Sequence, residues 1–178
     1  SVAGIVAWRF LRQRQAKPSI VAAAPTPGID ASRLSGSAEN WCKVLDGETL
    51  LQRCHAQSTL DELLRQSRLA PEVFNRELRS ALVAYAEFVQ LAPASESHHH
   101  AHPGGLLAHT LEVILGAMTL RNGYLLPLHA ATELIDRQRD HWTFTVFLAA
   151  LLHDIGKIMT DLRLHVRDTP KAPIRRWL

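Results

Sequence analysis

Two long apolar runs in this chain are interrupted by residues that ligate metals. Phe144 to Leu152 is almost wholly apolar and ends abruptly in His153-Asp154, and the run Leu106 to Leu120 carries His109 and Glu112 as its main polar breaks. An unpaired ionised carboxylate in apolar surroundings costs on the order of several kcal/mol, so something must compensate Asp154. A divalent cation does so directly, because imidazole and carboxylate suit Mn, Fe, Mg or Zn. A lone histidine in a helix is usually a satisfied core residue. Three such breaks in two apolar helices, which packing would bring together, point instead to a metal cluster of His109, His153 and Asp154.

A second concentration of chemistry lies just upstream, where His98, His99, His100 and His102 fall between Ser97 and Pro103. The run is internal, unlike a purification tag. Adjacent side chains in an irregular loop diverge, so at most two of the four face one site; the others orient ligands or meet substrate phosphate, and an exposed polar loop is the plain alternative. Gly104 and Gly105 allow positive φ and close approach to a ligand at the start of the next helix, whose N-terminus attracts phosphate. Lys157, after Gly156, is placed to neutralise a phosphate oxygen, or is an ordinary solvated helix-end lysine.

The elements that must position these groups read as helices. Leu50, Leu51 and Cys54 share one side of Glu48–Gln57, and Ser58-Thr59 before Asp61-Glu62 reads as a capping box opening a helix over Leu60–Arg68. Pro71 suits a first helical turn, and Val73, Phe74, Leu78, Leu82, Tyr85, Phe88 and Val89 then recur at three- and four-residue steps as far as about Gln90. Pro93 stops that helix. Leu106–Leu120 reads as a buried helix, Arg121–Pro127 as a loop turning at Asn122-Gly123, His129–Arg139 as a polar helix, and Trp142–Met159 as another buried one. No run of alternating strands stands out, so the class is all-α, a helical bundle.

A chain of 178 residues has room for one domain with a proper core. Pro18 to Ser37 is rich in Pro, Gly, Ser and Ala and reads as a linker, giving residues 1–36 as a basic N-terminal segment with linker and 37–178 as the helical domain. Arg9, Arg12, Arg14 and Lys17 crowd the N-terminal end, and Lys171, Arg175 and Arg176 the other, within a formal charge of +3. Such ends attract nucleic acid or anionic lipid and also suit solvated tails. Cys42 and Cys54 form no disulfide or zinc pattern, which suits a reducing, cytoplasmic setting. The apolar stretch Val2–Leu11 is half of what a bilayer needs, and no complete transmembrane segment is expected.

Leu152-His153-Asp154-Ile155-Gly156-Lys157 resembles the central motif of the HD metal-dependent phosphohydrolase superfamily, and Leu107-Ala108-His109-Thr110-Leu111-Glu112-Val113 resembles the helix that supplies its first histidine. More narrowly, the segment from Leu91 to His109 resembles the three-histidine signature of the MobH class of conjugative relaxases, the TraI-like proteins of integrating conjugative elements and some large plasmids. Thr160-Asp161-Leu162 after the HD pair fits that class too. The likeness covers roughly Glu48 to Leu164. It implies an HD-like helical domain of a bacterial cytoplasmic protein that holds metal through His109, His153 and Asp154 and acts on DNA at a transfer origin, alongside other conjugation-machinery proteins. The signature histidines fall on His98, His99 and His100; His102 and Asp161 are further candidate metal ligands. The superfamily pattern closes with an aspartate well downstream. Here that is Asp161 or Asp168 in an unusual place, or a residue of a longer relaxase that continues past Leu178.

The relaxase reading makes the substrate a phosphodiester of single-stranded or melted DNA, polarised by the metal and attacked in line by an oxygen nucleophile. Relaxases in general use a tyrosine. Tyr85 sits in a core-like pattern, which leaves Tyr124 beside the Asn122-Gly123 turn, with a metal-activated water as the simpler choice. The competing readings are an HD-type phosphohydrolase acting on nucleotides, and a non-catalytic DNA-binding or interaction module.

Overall fold

The computed structural model describes residues 5–8, 41–95, 99–160, 164–167, 173 and 175–176. The chain divides into two compact units, one of Ser1–Lys43 with Leu162–Leu178 and one of Val44–Asp161. The second lies inside the 37–178 span expected for the helical domain.

The first unit contains a small sheet that the sequence did not announce. Its strands are β1 (Ile5–Trp8), β2 (Trp41–Lys43), β3 (Leu164–Arg167) and β4 (Arg175–Arg176), in the order β2-β1-β3-β4. Every pairing is antiparallel, with Val6 opposite Cys42 on one side and Val166 on the other, and Val166 also opposite Arg175. Strands of two to four residues joined from opposite ends of the chain leave no local alternation to read.

The second unit is the expected all-α bundle, and it carries every group considered below except those outside the described residues. It comprises α1 (Gly47–Arg53), α2 (Gln57–Ser67), α3 (Pro71–Val73), α4 (Ser80–Val89), α5 (Gly105–Asn122), α6 (Thr132–Leu152) and α7 (Lys157–Thr160), with a π-helical stretch, Phe74–Arg79, joining α3 to α4. Asp46 caps α1 by accepting the Thr49 N–H at 2.8 Å and the Thr49 hydroxyl at 2.8 Å. The capping box expected at Ser58-Thr59 does not form. α2 starts earlier, with Ala56 as its cap residue, Leu60 N–H donating to the Ala56 carbonyl at 2.8 Å and Glu62 engaged by Arg65 instead. Pro71 does occupy a first helical turn.

Leu50, Leu51, Leu60, Leu63, Phe74, Leu78, Leu82, Ala86 and Val89 fill the core with Leu106, Leu107, Ile114 and Met118 of α5 and Phe147 and Leu151 of α6. Gly47 is required by packing, since a Cβ there would lie 2.4 Å from the Val83 carbonyl oxygen of α4. Gln90, with φ 49°, closes the same corner by exchanging hydrogen bonds with the Leu45 backbone at 3.0 and 2.9 Å.

Two expectations about the apolar helices are corrected. The polar helix His129–Arg139 and the apolar one after it are a single helix, α6, because nothing between Arg139 and Trp142 breaks the ladder. Neither α5 nor α6 is buried all round: Leu120 of α5 and Leu148 and Leu152 of α6 are exposed, while α6 turns Thr143, Phe147, Ala150 and Leu151 inward. Thr132–Thr160 is long and apolar enough to cross a membrane by length and composition alone, a test that core helices also pass. That inward face and the polar first half make α6 a bundle helix.

Candidate metal centre

α5 and α6 run antiparallel, and two contacts fix this. His109 in the second turn of α5 meets His153 at the end of α6, while Arg121 in the last turn of α5 donates to the Arg139 carbonyl of α6 at 2.7 Å. The first contact is the candidate site. His153 caps α6 after Leu152, and Asp154 follows in the turn before α7. Leaving the helix there solves a geometric problem, because neighbouring helical side chains diverge by about 100° and would struggle to reach one point.

The three ligand atoms form a nearly regular triangle. His109 Nε2 and His153 Nε2 are 3.4 Å apart, and Asp154 Oδ2 lies 3.6 Å from the first and 3.3 Å from the second. A cation bonded at about 2.0–2.1 Å with tetrahedral angles holds its ligand atoms about 3.3 Å apart, so the triangle has the size of one face of a coordination shell. His153 Nδ1 lies 2.7 Å from the Ala150 carbonyl and donates to it, which leaves Nε2 as a lone pair directed at the cluster. All three side chains retain some exposure, 32% for His109, 31% for His153 and 21% for Asp154, which leaves an approach for solvent or substrate.

Electrostatics favour the same state. Burial and then the neighbouring His153 hold the His109 imidazole below its ordinary pKa, so it is neutral and able to ligate near pH 7. Burial draws the Asp154 carboxyl upward, but the hydrogen bond from Lys157 and the charges of His153, Lys157 and His109 outweigh it and keep the group below the usual carboxylate range. Lys157 Nζ reaches Asp154 Oδ2 at 2.6 Å and the Ala94 carbonyl at 3.2 Å. The carboxylate therefore has a cationic partner of its own in Lys157, so its compensation does not by itself require a metal. The metal reading stands on the triangle of ligand atoms and the His153 lone pair directed into it.

The histidine loop lies beside this cluster. The His100 ring is 5.7 Å from His109 and its Nε2 pairs with Glu112 Oε2 at 3.0 Å, one turn further along α5. Glu112 was visible in the sequence only as a polar break; its partner was not. His102 is exposed, its ring 6.0 Å from His100, with Nδ1 donating to the Pro103 carbonyl at 3.1 Å. His99 is exposed, and its carbonyl accepts the Ser95 hydroxyl. His98 and Asp161 lie outside the described residues. Thus His100 and Lys157 adjoin the triad, while His99 and His102 are not brought into it.

The glycine pair serves the loop itself. Gly104 has φ +80°, and a Cβ on Gly105 would stand 1.9 Å from the His100 carbonyl oxygen, so the loop backbone packs flat against the start of α5. The close approach read from the sequence is occupied by the protein's own carbonyl.

Neither tyrosine joins the triad. Tyr85 is 3% exposed, its hydroxyl bonded to Thr110 at 2.9 Å, and burial pushes its pKa up against that bond. Tyr124 is exposed beyond the far end of α5, about 20 Å along the helix from His109.

No curated protein and no solved structure matches the chain. The family TraI_2, described as "Putative helicase", matches residues 42–171, which include the whole helical unit from Val44 to Asp161 and both segments of the candidate centre. The chain belongs to this family of TraI-like conjugation proteins.

Proposed function

We propose that the helical unit is the metal-dependent DNA-nicking domain of a MobH-class relaxase, of HD-hydrolase type, which cleaves one strand at a transfer origin. The observation that carries the reading is the triangle of His109 Nε2, His153 Nε2 and Asp154 Oδ2 with edges of 3.3–3.6 Å, open on one side to solvent. Membership of a TraI-like conjugation family supports DNA as the substrate. Residues 1–178 contain no G-x-x-x-x-G-K-[ST] phosphate loop, so the helicase of the family description finds no nucleotide-binding motif among them.

His109, His153 and Asp154 would hold a divalent ion, Mn, Fe, Mg or Zn, which when bound supplies Lewis-acid polarisation of a phosphoryl oxygen. The remaining work falls to the chain. Ala150 fixes the His153 tautomer through its carbonyl. Lys157, tied to Asp154 and to the Ala94 carbonyl, is positioned beside the triad to take a non-bridging phosphate oxygen. The His100–Glu112 pair stands one turn along α5 as a proton-transfer pair, with Glu112 orienting the imidazole. Tyr124 is too distant to attack at this centre, which leaves a water as nucleophile.

The test is nicking of supercoiled origin-containing DNA with Mn or Mg by the wild type, H109A and D154A. Nicking by the wild type alone supports the reading; equal nicking by all three removes it. A second reading, a DNA-positioning module whose His-Asp-Lys cluster is structural, is favoured by the 2.6 Å Lys157–Asp154 contact. It predicts no nicking by any of the three and a fold that does not respond to metal.

A further inference from the structure

The opposite end of the α5–α6 pair gathers three arginines against one acid among the groups that act on Arg121. Arg121, 8% exposed in the last turn of α5, donates from Nη1 to Asn122 Oδ1 at 3.0 Å and from Nη2 to the Arg139 carbonyl at 2.7 Å. Asn122 in turn donates to the Gln66 carbonyl at 3.1 Å, which brings in the end of α2 and its exposed cap residue Arg68. Three arginines from three helices therefore meet at one corner. Arg139 is paired with Asp140 at 3.1 Å, the one acid set against the three charges among the groups that act on Arg121. The crowding is felt by Arg121: burial, and then the charges of Arg68 and Arg139, lower its pKa against Asp140.

Two donors at this corner also lack acceptors. Arg121 Nε and Trp142 Nε1 are buried with no hydrogen-bond partner among the described residues, and Trp142 follows Arg139 by one turn. Both atoms are buried, so a ligand from solution does not reach them, and the charge that faces outward is that of Arg68 and Arg139. Helix C-termini attract cations, which accounts for Arg68 and Arg121 singly but supplies no acceptor for the orphaned donors. Tyr124, whose N–H donates to the Arg121 carbonyl at 3.1 Å, stands beside them 61% exposed. An exposed aromatic ring next to an arginine cluster is what single-stranded nucleic acid requires: a face for a base and charge for its phosphate.

We infer that the exposed Arg68 and Arg139 bind a backbone phosphate of the DNA strand, over the buried Arg121, while Tyr124 stacks on a base beside it, forming a metal-independent contact at the far end of the helix pair. This rests on the proposed DNA-processing function and extends it. The twelve helical residues from His109 to Arg121 put the contact about 18 Å along α5 from the metal centre. A strand held at both ends is fixed in position at the first. Tyr124 thereby acquires a role as a binding rather than a reacting group.

The experiment measures binding of a 16-nucleotide single strand to the full chain by fluorescence anisotropy in EDTA across a salt series. The proteins are the wild type, R68Q/R139Q and Y124A, with thermal unfolding to confirm that each is folded. Arg68 and Arg139 are exposed, so the double variant keeps the core and leaves Arg121 in place. Losing the one phosphate contact should lower the slope of log affinity against log salt by about 0.7, and Y124A should weaken binding about tenfold. An unchanged slope in R68Q/R139Q overturns the inference and leaves the metal centre standing, with nicking by the wild type as the separate check. Loss of a stabilising effect of inorganic phosphate in R68Q/R139Q with an unchanged DNA slope also overturns it, since the site then takes a free anion. A wild type that neither binds the strand nor nicks DNA removes the inference and the proposed function together.

Discussion

Adding a single methyl group to either of two glycines of α5 separates the role of the histidine loop from the stability of the helix. At Gly105 a Cβ would lie 1.9 Å from the His100 carbonyl oxygen and 2.7 Å from its carbon, where real Cβ atoms stay beyond 3.0 Å, so the loop must retreat by about 1.1 Å. That displacement strains the Ala94 N–H bond to the His100 carbonyl, now 3.0 Å, and the Gly105 N–H bond to the His102 carbonyl, now 2.9 Å. Overpacking costs about 1–3 kcal/mol and a lost hydrogen bond about 1 kcal/mol, which gives about 2–4 kcal/mol for G105A. At Gly116, exposed in the middle of the same helix, a Cβ meets nothing within 4 Å, and alanine should stabilise by about 0.5–1 kcal/mol through helix propensity. Urea unfolding of the two variants beside the wild type measures both, with the slope checked for constancy. The loop rather than α5 should yield, because Leu106 and Leu107 are completely buried, so G105A should keep its metal affinity while losing stability. Indistinguishable midpoints for G105A and G116A would refute the packing of the loop against the helix.

Further outcomes follow from the same structure. Y85F loses the bond to Thr110, whose hydroxyl keeps the Leu106 carbonyl at 2.8 Å, so it should cost about 1 kcal/mol in unfolding and leave nicking intact; abolished nicking would return Tyr85 to the chemistry. K157Q removes a competing cation 2.6 Å from the ligand oxygen and should tighten Mn binding in calorimetric titration while slowing nicking; weaker binding would contradict the placement of Lys157. The metal-free protein should lose stability as pH falls below about 6.5, because the unfolded His109 takes up a proton before the folded one, whose pKa is lowered. That contribution is present in full above the unfolded pKa, and H109Q should flatten the dependence of the urea midpoint between pH 5 and 7. Asp154, also lowered, adds a loss only as pH falls through the carboxylate range.

The candidate centre was legible because His109 and His153-Asp154 break apolar runs where polar side chains need a reason. His100 and Lys157 were legible as neighbours in sequence, but their partners were not: the contacts to Glu112 and to the Ala94 carbonyl depend on how the loop folds back. Arg121 escaped notice because it reads as the first residue of the loop after Leu120, whereas α5 runs on to Asn122, and only its burial and the approach of Arg68 and Arg139 set it apart. Among the elements, Pro71, the periodic run to Gln90 and the Asn122-Gly123 turn gave the helices their ends. The start of α2 was misplaced because Ser58, Thr59, Asp61 and Glu62 satisfy a capping pattern that Gln57 pre-empts by joining the helix and donating to Asp61 at 2.8 Å. α6 runs through Arg139 because no residue between it and Trp142 breaks the ladder, and the π-helical stretch Phe74–Arg79 has no residue signal in the sequence.

The central claim is that His109, His153 and Asp154 hold one divalent ion. Titration of the wild type with Mn followed by electron paramagnetic resonance, beside H109A, H153A and D154A, tests it most directly, since it reads the bound ion without requiring catalysis. One equivalent of bound Mn in the wild type, lost in all three variants while each remains folded, is the result expected from the triangle of ligand atoms. No bound Mn in the wild type, or retention in D154A, would show that the three side chains are a structural cluster held by Lys157.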